Sequence, residues 1–184
     1  MRKMLISSLL ILVVLSFFTL NVFAQDKEFK YVGTKNCKMC HSSKKSGEAY
    51  KIWEKSAHAT AYATLASEES KAISKKMGID DPQKSDQCLS CHVTGHGKAA
   101  SSYEEGYVME EGVTCEACHG PGSKYNPMKI MKQISAGEVK GADYGLADPN
   151  EASCVTCHNE KSPTYKGFDY KEYVAKIAHP APEK

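Results

Sequence analysis

The pentapeptide Cys-Xaa-Xaa-Cys-His occurs four times in this 184-residue chain, and none of the eight cysteines lies outside it. The copies are CKMCH at Cys37–His41, CLSCH at Cys88–His92, CEACH at Cys115–His119 and CVTCH at Cys154–His158. Two cysteines three positions apart share one face of a helical turn. That spacing suits a four-thiolate zinc site or a redox dithiol, but neither requires a histidine after the second cysteine in every copy. A disulfide framework would give irregular spacings. Attachment of haem c requires all of it: two thiols add to the vinyl groups of one porphyrin, and the next residue becomes the proximal iron ligand. The chain therefore reads as a carrier of four covalently attached haems. They are held by Cys37 and Cys40, Cys88 and Cys91, Cys115 and Cys118, and Cys154 and Cys157, with His41, His92, His119 and His158 beneath the irons.

That cofactor load constrains the fold. Aliphatic runs are missing after the first two dozen residues, and a chain so poor in Leu, Ile and Val struggles to bury a core of its own. Four porphyrins would supply the missing interior. The expected class is mainly α, a small multihaem cytochrome c of short helices and long loops wrapped around four haems. A helical pattern runs from Ser46 to about Met77, with Ala49, Ile52, Trp53 and Ala57 on one face and His58, Ala61, Tyr62 and Leu65 on another. Further helices are expected over residues 127–140 and from Phe168 to Ile177, and residues 98–111 read as a loop or a short paired segment. The first cysteines are 51, 27 and 39 residues apart, so the motif repeats without a longer repeat around it.

Met1-Arg2-Lys3, an apolar stretch and Val22-Phe23-Ala24 describe a secretory signal peptide over residues 1–24. A retained anchor is the rival reading, since the run is borderline for a membrane span. Cleavage would leave residues 25–184 as one periplasmic domain with no membrane span, in the compartment where thioether attachment is completed. Loss of Arg2 and Lys3 takes the formal charge from +2 to 0 and leaves no arginine. Balanced charge without arginine gives no footprint for nucleic acid. The expected partners are electron-donor and electron-acceptor proteins.

The histidines do not go round. Four proximal histidines leave four iron faces to fill, and three histidines remain: His58, His96 and His179. Each is a candidate distal ligand. His58 is expected on a helix, with its ring over an iron. His96 follows His92 by four residues, too short a path around its own porphyrin, so it would reach a neighbouring haem. His179 would fix a tail that otherwise frays. One haem is left over. Met77, Met109, Met128 and Met131 are available, but Met in such settings is more often packing than ligand; Tyr125 and the lysines are weaker options still. The count favours three bis-histidine haems and one five-coordinate haem whose open face can take a small ligand such as NO.

The runs YVGTKNCKMCH, CLSCHVTGHG, GVTCEACHGPGS and CVTCHNEKSPTYKGF, together with Trp53, Ser56 and His58, resemble the tetrahaem cytochrome c-554 family over roughly residues 31–180. The resemblance implies a mostly helical fold with haems in close stacked pairs, three bis-histidine and one five-coordinate. It implies that the open haem is the second, at Cys88, Cys91 and His92, and that electrons come from hydroxylamine oxidation. Many multihaem relatives carry a distal histidine a few residues after GPG; here Tyr125 stands near that position.

Three functions follow: an electron carrier linked to hydroxylamine or nitrogen-oxide metabolism, a reductase of NO at the open haem, or a subunit of an extracellular haem filament. Identical subunits share the same histidine deficit, so polymerisation would not cure it. Intact mass of the mature protein is expected to show the loss of residues 1–24 and the gain of four haems, with no thiol open to alkylation.

Overall fold

The computed structural model describes residues 28–181, so the leader expected over residues 1–24 lies outside the described residues. Among the described residues the chain forms nine short α-helices joined by turns and long loops. They are α1 (Thr34–His41), α2 (Ala49–Glu54), α3 (Ala61–Thr64), α4 (Glu68–Lys76), α5 (Asp86–His92), α6 (Cys115–His119), α7 (Met128–Ser135), α8 (Glu151–Cys154) and α9 (Tyr170–Ala175). Residues 98–111 contain two 3-10 turns, and Tyr103 makes an isolated parallel bridge with Tyr31. No helix among these residues is long and apolar enough to cross a membrane. The mainly helical class expected from the motifs is the class observed.

Local chemistry sets the helix ends. Ser67 caps α4 by accepting from the Ser70 amide, Asp169 caps α9 through Glu172, and Asn150 forms a reciprocal capping box with Ser153 at α8. The helical pattern read from Ser46 to Met77 is broken into α2, α3 and α4, and His58 lies in the turn between α2 and α3 rather than on a helix. The cause is local competition for the backbone. The Ser56 hydroxyl donates to the Trp53 carbonyl at 2.7 Å, and the His58 carbonyl accepts from Val113 N at 3.1 Å, a partner far along the chain. Helix α7 ends at Ser135 rather than running to residue 140, because the chain turns through Gly137 at φ 74°.

The apolar interior is small. Leu65, Leu89 and Val93 form one cluster, flanked by Tyr62 and Cys88, while Val32 and Tyr125 are buried elsewhere. Each such side chain contributes about 1.5–3 kcal/mol. Buried polar contacts link the elements instead. Thr94 N donates to Gly112 O at 2.9 Å, and Thr114 N and Oγ1 reach Thr94 Oγ1 at 2.7 and 3.0 Å. This seam fastens the loop after α5 to the start of α6. Outside it, Tyr31, Tyr103 and Tyr107 pack ring to ring, and Tyr103 and Tyr107 donate to Gly95 O and Thr94 O, each at 2.6 Å.

Trp53 ties α2 to the same seam, its indole N–H donating to Val113 O at 2.8 Å. Trp53→Phe removes that bond and is expected to cost about 1–2 kcal/mol, read as a lower thermal unfolding midpoint of the holoprotein at unchanged haem content.

Candidate haem sites

Each Cys-Xaa-Xaa-Cys-His segment starts on, or ends, a short helix. In α1, α5 and α6 both cysteines and the histidine fall within the helix; in the fourth segment Cys154 closes α8, and His158 N still donates to Cys154 O at 3.0 Å. None of the eight cysteines is paired in a disulfide. Among the described residues no three His, Cys, Asp or Glu converge as on a bare metal ion, so the cysteine pairs do not assemble a zinc site. The segments instead meet one another. Cys37 and Cys115 are hydrogen-bonding neighbours, and that bond, reinforced by burial, pushes the Cys37 thiol far above its usual range. Cys157 likewise touches Cys91, and burial pushes its thiol up. The first segment thus adjoins the third and the second adjoins the fourth, and Cys118 of the third lies near Cys154 and Cys157 of the fourth.

The imidazoles are disposed as ligands. Burial lowers the pKa of His41, His58, His119 and His158 below that of a free imidazole, favouring the neutral ring that binds iron. His92 Nδ1 donates to Ala61 O at 2.7 Å, which leaves Nε2 free to coordinate. The His158 ring is enclosed by Phe168, stacked at 5.0 Å, and Tyr173 at 5.5 Å.

Two remote histidines come to two proximal ones. The rings of His58 and His158 are 6.0 Å apart between centroids, and those of His119 and His179 are 5.9 Å apart. Two imidazoles bound to opposite faces of one metal, with ring nitrogens at about 2 Å, have centroids roughly 6 Å apart. The donor set and its spacing therefore fit haem. His179 also bears on His41, lowering its pKa behind the larger effect of burial. The tail that carries it is seated by close main-chain packing, since a Cβ on Gly47 would run into the Pro180 carbonyl.

The remaining candidates fall differently. His96 Nε2 contacts Asp86 Oδ1 at 2.9 Å, and among the described residues no second imidazole packs against His92 or His96. The loop that carries His96 packs on the segment leading into α1: a Cβ at Gly95 would stand 2.8 Å from the Tyr31 ring. Tyr125 is buried with its hydroxyl donating to Gly120 O at 2.7 Å, so it is a packing residue. Met77, Met109 and Met128 are surface residues. Sequence reasoning missed two carboxylates beside the first and third segments. Glu116 accepts from Val32, Gly33 and Gly122, and Glu111 accepts from Thr34. Nothing in the sequence marks their partners, which lie up to 84 residues away.

Comparison with known proteins points to one family. The family model described as "Cytochrome c554 and c-prime" matches residues 36–120. A "Cytochrome c-554" of Nitrosomonas europaea is 34% identical over 175 residues, an alignment covering 85% of this chain and 70% of that relative. The solved structure titled "reduced state of cytochrome c554 from Nitrosomonas europaea" superposes with a TM-score of 0.52 at 27% identity, covering 82% of this chain and 79% of the other.

The turn bearing His58 rests on Gly112. That glycine has φ +75°, and a Cβ there would stand 3.0 Å from His58 O and 3.2 Å from Tyr62 N. Gly112→Ala is expected to strain the backbone by about 1–2 kcal/mol and to push the His58 turn away from His158. Loss of low-spin haem signal in the ferric variant checks this.

Proposed function

The chain belongs to the cytochrome c554 family of electron-transfer c-type cytochromes, and from that premise we propose that it carries four haems and passes electrons between redox proteins of the periplasm. Its donors and acceptors belong to hydroxylamine or nitrogen-oxide metabolism. The observation that carries the reading is the pair of imidazole contacts at 6.0 and 5.9 Å, each joining a Cys-Xaa-Xaa-Cys-His histidine to a remote one. Haem held by these residues supplies reversible one-electron Fe(III)/Fe(II) chemistry, and an iron left with one vacant face can also take NO.

The residues divide as follows. The eight cysteines attach the porphyrins, and His41, His92, His119 and His158 are the proximal ligands. His58 completes the set with His158, and His179 completes it with His119. Two proximal histidines, His41 and His92, then compete for His96. The packing of its loop on Tyr31, next to α1, favours His41, once His96 exchanges its Asp86 contact for the metal. His92 is left with its Nδ1 anchored on Ala61 and no second imidazole, which makes the second site the open one. That vacancy supports a second reading, reduction of NO at this site beside electron transfer.

Low-temperature EPR of the ferric protein tests the assignment. Three low-spin haems and one high-spin haem are expected, with the high-spin signal abolished by NO; four low-spin haems inert to NO would rule out the open site. His58→Ala should convert one further haem to high spin and leave the other signals in place. Rapid reduction by a hydroxylamine-oxidising donor supports the pathway, whereas inertness to it alongside fast reduction by an unrelated dehydrogenase assigns another.

A further inference from the structure

Glu116 is the second residue of the third attachment segment, and only 2% of it is exposed. Its Oε1 accepts from Val32 N at 2.9 Å and Gly122 N at 2.7 Å, and its Oε2 accepts from Gly33 N at 2.9 Å and Val32 N at 3.1 Å. These three backbone donors come from two places, the residues that lead into α1 and the GPG loop that follows α6. Gly122 packs closely there: a Cβ would stand 3.0 Å from Val32 Cγ2 and 3.1 Å from Glu116 Oε1, tighter than ordinary contact. Glu111 adds a second clamp, accepting from Thr34 N at 2.9 Å and Thr34 Oγ1 at 2.7 Å at the first turn of α1.

Burial pushes the Glu116 carboxyl up, while the N–H bonds that both of its oxygens accept oppose this and favour the ionised carboxylate. Among the described residues no lysine forms an ion pair with it. The charge is thus held by amide dipoles and is not cancelled by a cation. It stands beside Cys37 and Cys115, the adjoining first cysteines of the first and third segments, and acts on both. Glu111 acts on the same two cysteines. A charge in a site of low dielectric is weakly screened, so its influence on a neighbouring redox centre is large.

We propose that Glu116 is a positioning and potential-setting residue for the haems attached at Cys37–Cys40 and Cys115–Cys118. It locks the two attachment helices in one register and holds a negative charge beside both, which stabilises the ferric state there. Cys154 and Cys157 of the fourth segment lie near Cys118 of the third, but the bonds of Glu116 go to Val32, Gly33 and Gly122 alone, so the haems at Cys88–Cys91 and Cys154–Cys157 lie outside its direct contact. This rests on the tetrahaem reading above.

The test is Glu116→Gln, which removes the charge at nearly constant volume. Haem number by intact mass comes first, then potentiometric titration of the holoprotein followed by EPR to assign each potential. The expected result is four haems, unchanged ligation, two of the four potentials shifted positive and two unmoved. Four haems with all potentials at the wild-type values, or with all four shifted alike, overturns the proposal and leaves the tetrahaem reading intact. A wild-type protein lacking haem at Cys37–Cys40 or Cys115–Cys118 overturns both. Should Glu116→Gln fail to mature, Glu111→Gln decides by the same criterion. A smaller positive shift confined to the same two haems supports the proposal, and none, or a shift of all four, overturns it.

Discussion

With so little apolar interior, this chain places its attachment segments by buried hydrogen bonds. The seam of Thr94, Gly112 and Thr114, the Trp53 indole bond and the carboxylate nest of Glu116 each join segments distant in sequence. An isolated neutral bond contributes about 1 kcal/mol, and one to a charged group about 1.5–3 kcal/mol. Such bonds are directional in a way that apolar contact is not. They specify the separation and tilt of two helices, which matters more for a redox protein than the total stability they provide.

The same bonds explain why four equivalent motifs yield inequivalent sites. Cysteines and proximal histidines are local features, one turn of helix each. Whatever stands opposite each proximal histidine is set by tertiary structure. The His58 turn is held by Val113 N and rests on Gly112, and the His179 tail is seated against Gly47. His92 is anchored by Ala61, and among the described residues no second imidazole packs against it. Asymmetry among the sites therefore resides in the loops.

This division also marks what could be read in advance. The four Cys-Xaa-Xaa-Cys-His segments were legible because covalent attachment of haem calls for adjacent residues. The caps at Asn150 and Asp169 are similarly local, each accepting from an amide three residues on. The continuous helix drawn through His58 was not correct, because apolar spacing carries no record of Ser56 competing for the Trp53 carbonyl or of Val113 claiming that of His58. Glu116 was invisible for a related reason. It occupies a variable position of its motif, and its donors at Val32 and Gly33 precede it by more than eighty residues. Tyr125, weighed as a possible ligand, turned out to spend its hydroxyl on Gly120.

The two imidazole pairs differ in the order in which their members occur along the chain. In one, the remote ring at His58 precedes its partner His158 by a hundred residues; in the other, His179 follows His119 by sixty. A polypeptide delivered from its N-terminus therefore presents His58 well ahead of the segment it faces. His179 arrives last, carried by the tail that seats against Gly47. One site can close as soon as its own segment emerges, while the other waits for a ring sixty residues further on.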